Sequence, residues 1–325
     1  MFKKLVAALC LILVFASQGL GEYRQAQVGT KIYETKEAFP IGFYDISHYP
    51  SMDARRLDAM REMKRMGADY MAATIDSGDK ATIDLAEALN LGLALEYNSD
   101  AAGVLEAFKN SPVIFAHIPG DDVDSRFASA AQYKVEDAKY RALRGDLLTI
   151  ASVGYASNFS KFAGVSDKTG QQCYPIDGEP LAAVPYCYNR AKVATTAKNV
   201  PLLAHVQTMK WSGRRYPTPQ EIDVMAWGAV ILGANEILFY AYFDYNKSNQ
   251  RTNTDLSTQP AIREKLKQFI EKLRTLQHFF IFGTRSAVTS SSGMVGTWDY
   301  PALKRSLDIR VTYSTKMVSI TEKAL

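Results

Sequence analysis

Acidic and aromatic residues stand at or directly behind short apolar runs of this chain. Asp45, Ser47, His48 and Tyr49 close the first run, Glu96, Tyr97 and Asn98 the third, and Asp121, Asp122 and Asp124 follow the fourth. Tyr155 follows the fifth, Gln172 and Tyr174 mark the sixth, Gln207, Lys210 and Trp211 the seventh, and Tyr240, Tyr242, Asp244 and Tyr245 the eighth. Two carboxyl groups held near each other can pass a proton to a glycosidic oxygen and activate a nucleophile. Aromatic faces stack on the C–H faces of sugar rings, and amides and acids bond to hydroxyls. Metal chemistry is not indicated: His48, His117 and His205 are scattered with no His-x-His pair, and two cysteines give no zinc site, so neither metal nor cofactor is expected.

The elements that must position these groups alternate. Apolar runs at 41–46, 70–75, 91–97, 113–118, 147–153, 171–176, 202–209 and 237–243 read as strands buried on both faces. The segments between them carry apolar residues three and four apart. Leu57, Met60, Met63 and Met66 mark the first helix, which Gly67 is placed to end. Thr218-Pro219-Gln220-Glu221 predicts a capping box with Pro in the first turn of a helix running to about Gly233. A last helix from about Pro260 buries Ile262, Leu266, Phe269, Ile270, Leu273 and Leu276. Eight such units predict an α/β fold, a (β/α)8 TIM barrel over 40–282, with the helical segment near 158–165 short enough to be degenerate. An open dinucleotide-binding sheet is excluded because Phe43-Tyr44-Asp45 stands where its Gly-rich loop would be. Residues 283–325, with alternation at Leu307, Ile309, Val311 and Tyr313, read as a short β-rich segment packed on the barrel, and 22–39 as an extended leader segment. In such a barrel the site lies at the carboxyl ends of the strands, where the acids and rings named above converge.

The chain has 325 residues, 47% of them hydrophobic and 22% charged, enough to bury a large core. Residues 1–21 read as a secretory signal peptide: Lys3 and Lys4 precede an apolar run of about 12 residues, too short to span a bilayer, and small residues follow. Of 38 basic residues, the loss of Lys3 and Lys4 leaves 36 against 34 acids, a balance that points to neither nucleic acid nor an anionic membrane. A secreted or periplasmic location is expected, with no membrane association after signal cleavage. Cys173 and Cys187 either pair in that oxidising setting or remain two separate buried thiols.

Three stretches carry a resemblance: Val113-Ile114-Phe115-Ala116-His117-Ile118-Pro119-Gly120-Asp121-Asp122-Val123-Asp124, then Gln172-Cys173-Tyr174-Pro175-Ile176, then Trp211 through Tyr216-Pro217-Thr218-Pro219-Gln220-Glu221 to Ile237-Leu238-Phe239-Tyr240. Over roughly 39–280 the chain resembles secreted TIM-barrel glycoside hydrolases. The resemblance implies a glycosidase acting on a polysaccharide or oligosaccharide, with Asp122 as the acid/base at the end of strand four and Asp121 at the preceding substrate-contacting position. The family's strand-seven Glu is absent, since Ala204-His205-Val206-Gln207-Thr208-Met209-Lys210-Trp211 stands there. The second carboxylate is then Glu96 as first choice, with Asp45 and Asp244 as the other candidates, or an inverting reaction uses a water. Asp45, Asp121, Tyr174, Gln207, Trp211, Tyr240 and Asp244 are the expected substrate contacts. The same features without a working acid pair would make a barrel that binds carbohydrate and does not cleave it.

Overall fold

The computed structural model describes residues 38–46, 53–96, 100–211, 214–246 and 251–325. The expected signal peptide, the 22–39 segment up to residue 37, and Ser47, His48, Tyr49, Tyr97 and Asn98 lie outside the described residues. Eight parallel strands, β1 (Ile41–Ile46), β2 (Tyr70–Ala73), β3 (Gly92–Glu96), β4 (Ile114–Ile118), β5 (Leu148–Val153), β6 (Lys168–Cys173), β7 (Leu202–Gln207) and β8 (Glu236–Asn246), follow one another in order, and β1 pairs with β8 to close the ring. This is the (β/α)8 barrel the alternation predicts.

Helices α1 (Asp53–Met66), α2 (Lys80–Leu89) and α3 (Ala101–Ala107) join the first four strands, and α4 (Val123–Arg126) and α5 (Ala130–Leu143) lead to β5. Only the four-residue α6 (Phe159–Phe162) follows β5, so the fifth unit is indeed reduced; α7 (Val184–Lys198) and α8 (Pro219–Ile231) complete the crossovers. The α8 cap forms as its sequence dictates. Glu221 N–H donates to Thr218 Oγ1 at 3.2 Å and Thr218 N–H to Glu221 Oε2 at 2.8 Å, a motif worth about 1 kcal/mol.

Alternation sorts each strand into an outer face against the helices and an inner face in the barrel. Tyr44, Tyr70, Ala72, Ala94, Ile150, Leu203, Leu238 and Tyr240 pack inside. Gly42, Gly92 and Gly170 make room there, because a Cβ at these positions would collide with Tyr70, Phe115 and His205 respectively. The sixth strand begins three residues earlier than its apolar run suggests. Lys168 lies inside the barrel floor and is neutralised by Glu236 from the start of β8, so a polar stretch is buried as strand.

A second departure follows β8. The polar stretch between the eighth run and the last helix contributes β9 (Arg251–Asp255), antiparallel to β8. Helix α9 (Pro260–Phe282) then leads into an antiparallel sheet of β10 (Thr284–Thr289), β11 (Gly293–Tyr300), β12 (Arg305–Thr312) and β13 (Met317–Ala324). Its inner face (Met294, Trp298, Leu307, Ile309 and Val311) is buried with the outer core of the barrel, and Trp298 meets Phe280 of α9 edge-on at 5.0 Å. Lys316 donates to the Glu221 carboxylate at 2.7 Å, tying the sheet to the start of α8. Burial opposes ionisation of Glu221, but hydrogen bonds from Arg215, Lys316 and Thr218 outweigh it and hold the carboxyl down at about 2. Among the described residues no helix is long and apolar enough to cross a membrane.

Candidate active site

Glu96 is the last residue of β3, two positions after the inward-facing Ala94, so strand parity turns its side chain into the barrel mouth. It is 7% exposed and accepts a hydrogen bond from Thr74 Oγ1 at 3.3 Å. Burial, and next the negative charge of Asp121, push its carboxyl up to about 8; Arg126 and Thr74 pull the other way, and Asp244 adds to the rise.

Asp121 follows β4 and faces the same space. Gln172 Nε2, at the end of β6, donates to its Oδ1 at 2.8 Å and also reaches Ser152 Oγ of β5 at 3.1 Å. Ser152 also bonds the Asp121 carboxylate, and its oxygen lies 3.3 Å from His205 Nε2. Burial holds His205 down at about 3, so the ring is neutral. Burial and the charge of Asp122 push Asp121 up to about 6, while the bonds from Ser152 and from the Asp122 backbone restrain the rise. Both carboxyls are held above the usual carboxylate range, Glu96 further than Asp121, first by burial and then by neighbouring acids. Such a pair resists losing both protons, which suits one acid to donate and the other to accept.

Asp122 sits differently from its neighbour. Its backbone is left-handed at φ 51°, and its Oδ1 lies where a Cβ on Gly154 would be only 2.9 Å away, so the close approach to the end of β5 needs glycine there. Oδ1 is buried without a hydrogen-bond partner among the described residues. Burial raises its carboxyl, and Asp124 contributes the like charge. Asp124 is a tie between loops: its carboxylate accepts from Gly154 N–H at 2.8 Å, Tyr155 N–H at 3.0 Å and Asn158 Nδ2 at 3.1 Å.

Three tyrosines wall the mouth. Tyr174 stacks on Tyr240 with centroids 5.4 Å apart, and Tyr44 meets Tyr240 edge-on at 5.1 Å. The peptide bond after Tyr240 is cis. All three phenols are held well above the ordinary value, first by burial and then by the surrounding acids. Asp121 ranks first among those acids for Tyr44 and Tyr174, and Asp244 for Tyr240. The hydroxyls of Tyr44 and Tyr174 are buried and have no partner among the described residues, which leaves two donors beside the acid pair. Trp211 stands on the rim, 47% exposed and edge-on to Tyr174 at 6.4 Å.

Two expected contacts are corrected by the packing. Asp45 is 1% exposed and on the outer face of β1, because Tyr44 takes the inner position. It lies 4.0 Å from Arg56 Nε of α1, whose guanidinium also bonds Asp79 and the Thr74 carbonyl. It braces the helix layer and does not reach the mouth. Gln207 is fully buried with its amide committed to backbone: Oε1 accepts from Ile176 N–H at 2.8 Å, and Nε2 donates to the Ile176 and Met209 carbonyls at 3.4 and 3.3 Å. It pins the loop after β6 to the end of β7. Thr74, Ser152 and Tyr44, which the sequence does not single out, join the site together with Gln172, which it names at the end of the sixth run. Their signal was inward parity at the strand ends, which apolar content alone does not register. Cys173 and Cys187 are buried, unbonded thiols, and burial and then contact with Cys187 hold the Cys173 thiol well up.

A buried carboxyl that keeps its proton destabilises the fold wherever the unfolded chain would release that proton. Glu96 binds its proton more tightly folded than unfolded. Between about 4.5 and about 8 the native state holds more protons, so stability falls as pH rises through that window. Glu96→Gln is expected to melt about 5 °C above the native protein at pH 8, roughly 2 kcal/mol, and at the same temperature at pH 4. Melting curves that stay parallel from pH 4 to 8 would remove this account of Glu96.

No protein-family model matches the chain, and no curated protein sequence matches it. Solved structures do. A glycoside hydrolase is similar at 9% identity and a TM-score of 0.59, covering 88% of this chain and 87% of its own. A putative alpha-L-fucosidase from Bacteroides thetaiotaomicron matches at 11% identity and TM-score 0.53, over 71% of this chain and 92% of its own. A beta-galacturonidase from Eisenbergiella tayi matches at 13% identity and TM-score 0.52, over 71% of this chain. The chain spans about half, 50%, of the length of that galacturonidase. The shared feature is the barrel, and these glycoside hydrolases are its structural neighbours.

Proposed function

We propose that the protein is a secreted glycoside hydrolase that cleaves O-glycosidic bonds in an oligosaccharide or polysaccharide, with Glu96 as the general acid and Asp121 as the base or nucleophile. One observation carries this reading: two acids, Glu96 at the end of β3 and Asp121 just past β4, meet at the barrel mouth, close enough for the charge of Asp121 to raise Glu96. Glu96 donates its proton to the leaving oxygen. Asp121, kept ionised by Gln172 and Ser152, attacks the anomeric carbon or deprotonates the attacking water. The tyrosine walls exclude solvent and offer two hydroxyl donors to sugar oxygens. The role first given to Asp122 moves one residue back, and Asp122 acts through its charge on Asp121. Glycosidase structural neighbours support the substrate class, and a leader like 1–21 supports export.

The test is release of reducing ends from a screen of glycan fragments by the native protein and by the Asp121→Asn and Asp122→Asn variants. Loss with Asp121→Asn and retention with Asp122→Asn is the expected pattern. The reverse pattern restores Asp122 to the chemistry. Binding of glycans with no release by the native protein makes the chain a carbohydrate binder, a reading favoured by the commitment of Gln207, where related barrels carry an acid, to backbone.

A further inference from the structure

Next to the mouth, a groove of about 340 Å³ runs between the loop after β5 and the first turn of α7. That is the lower end of small-molecule sites, room for roughly one or two sugar rings. It shares two side chains with the acid pair: Gln172, which donates to Asp121, and Tyr174, which stacks on Tyr240. Its rims are Tyr155 and Tyr186, 65% and 52% exposed. Tyr155 is anchored at its backbone and Tyr186 at its ring. The backbone N–H of Tyr155 is held by Asp124, and the Arg190 guanidinium lies 4.5 Å over Tyr186, covering one of its faces. Two exposed rings flanking a groove that adjoins the acid pair through Gln172 and Tyr174 suit the C–H faces of a sugar. The only charged side chain among the groove's described residues is Glu179, and neither Lys nor Arg lines it.

We propose that this groove is a second sugar subsite, holding a unit of the glycan that bears no carboxylate, next to the unit processed by Glu96 and Asp121. The proposal rests on the glycosidase reading for its substrate class. An acidic sugar here would meet the Glu179 carboxylate with no cation in the groove lining, Arg190 being engaged on the Tyr186 ring, whereas a neutral or amino sugar would stack between the tyrosines and bond Gln172 and Glu179. The subsite makes the protein select chains over single sugars.

Calorimetric titration of the full chain tests this with cellotetraose, mannotetraose, the N-acetylglucosamine and glucosamine tetramers, and tetragalacturonate. Each is compared with its monosaccharide. At least one neutral or amino tetramer is expected to bind tenfold or more tighter than its monomer, and tetragalacturonate at least tenfold weaker than that tetramer. Tyr155→Ala with Tyr186→Ala should abolish the tetramer advantage and leave the monomer within twofold; Glu179→Gln should narrow the penalty on tetragalacturonate. A tetramer affinity unchanged by the tyrosine substitutions, a preference for tetragalacturonate, or no binding by any probe overturns the subsite. Tyrosine-dependent binding without turnover of any glycan would sink the hydrolase and leave the groove. Turnover with a KM for tetramers indifferent to the tyrosines would sink the groove and leave the hydrolase.

Discussion

Glu96→Gln is expected to lower kcat by about 10³-fold on glycans with poor leaving groups, yet to spare hydrolysis of aryl glycosides whose phenols leave without a proton. The reason is the division of labour at the mouth. An acid pushed up to about 8 is still protonated at neutral pH and can meet the leaving oxygen, a contribution typically of 10²–10⁴. Asp121→Asn removes the group that must be ionised, so aryl and alkyl substrates should lose activity alike. The native pH profile should then rise through about 6 and fall through about 8, values that belong to the coupled pair more than to either residue. Asp122→Asn should shift one limb of that profile. Its negative charge raises Asp121, so its removal lowers the proton affinity of Asp121 and moves the acidic limb to lower pH while leaving the basic limb in place. A leaving-group series in which Glu96→Gln slows activated and unactivated substrates equally would show that Glu96 is not the donor. Product anomers followed by NMR would then report whether Asp121 attacks the sugar or activates water, which depends on how far apart the two carboxyl groups stand.

Strand order was legible because fully buried parallel strands are written as apolar runs, and seven of the eight runs fall on their strands. The sixth was displaced because Lys168 and Thr169, polar by type, are buried by pairing and by hydrogen bonding, which no hydrophobic count can anticipate. The placement of the candidate residues was legible in part. Glu96, Tyr174, Tyr240 and Asp121 meet at the mouth, since each stands on or just past an inward position. Asp45 failed on parity alone: with Tyr44 inside, the next side chain must face the helices, and Arg56 receives it there. Gln207 passes the parity test and still contributes no free amide, because the loop after β6 closes onto it. Which of Asp121 and Asp122 enters the barrel was beyond sequence reasoning, since the chain leaves β4 with Asp122 in a left-handed turn that ends any alternation.

Lys168→Met should destabilise the protein by about 3–5 kcal/mol, a fall in melting temperature of about 10 °C, although the residue lies at the end of the barrel remote from the chemistry. Lys168 and Glu236 are both buried at the floor, from the first residues of β6 and β8, and the ammonium donates to Glu236 Oε2. Burial lowers the lysine's affinity for its proton, and Glu236 is the first of the charges that restore it. Each ion is tolerable there only because of the other. Removing the lysine leaves a carboxylate that must either stay charged in an apolar floor or take up a proton, and its Oε1 is already without a partner among the described residues. The double change Lys168→Met with Glu236→Met removes both charges and replaces them with apolar volume, so it should recover most of the lost stability. Four residues of strand, about 13 Å, separate Lys168 from Gln172 at the mouth. Turnover per folded molecule should therefore be unchanged in both variants, which separates a floor that holds the barrel together from the mouth to which the chemistry is assigned in the proposal. A single variant as stable as the native protein, or a double variant no better than the single, would show that the pair is not what holds the floor closed.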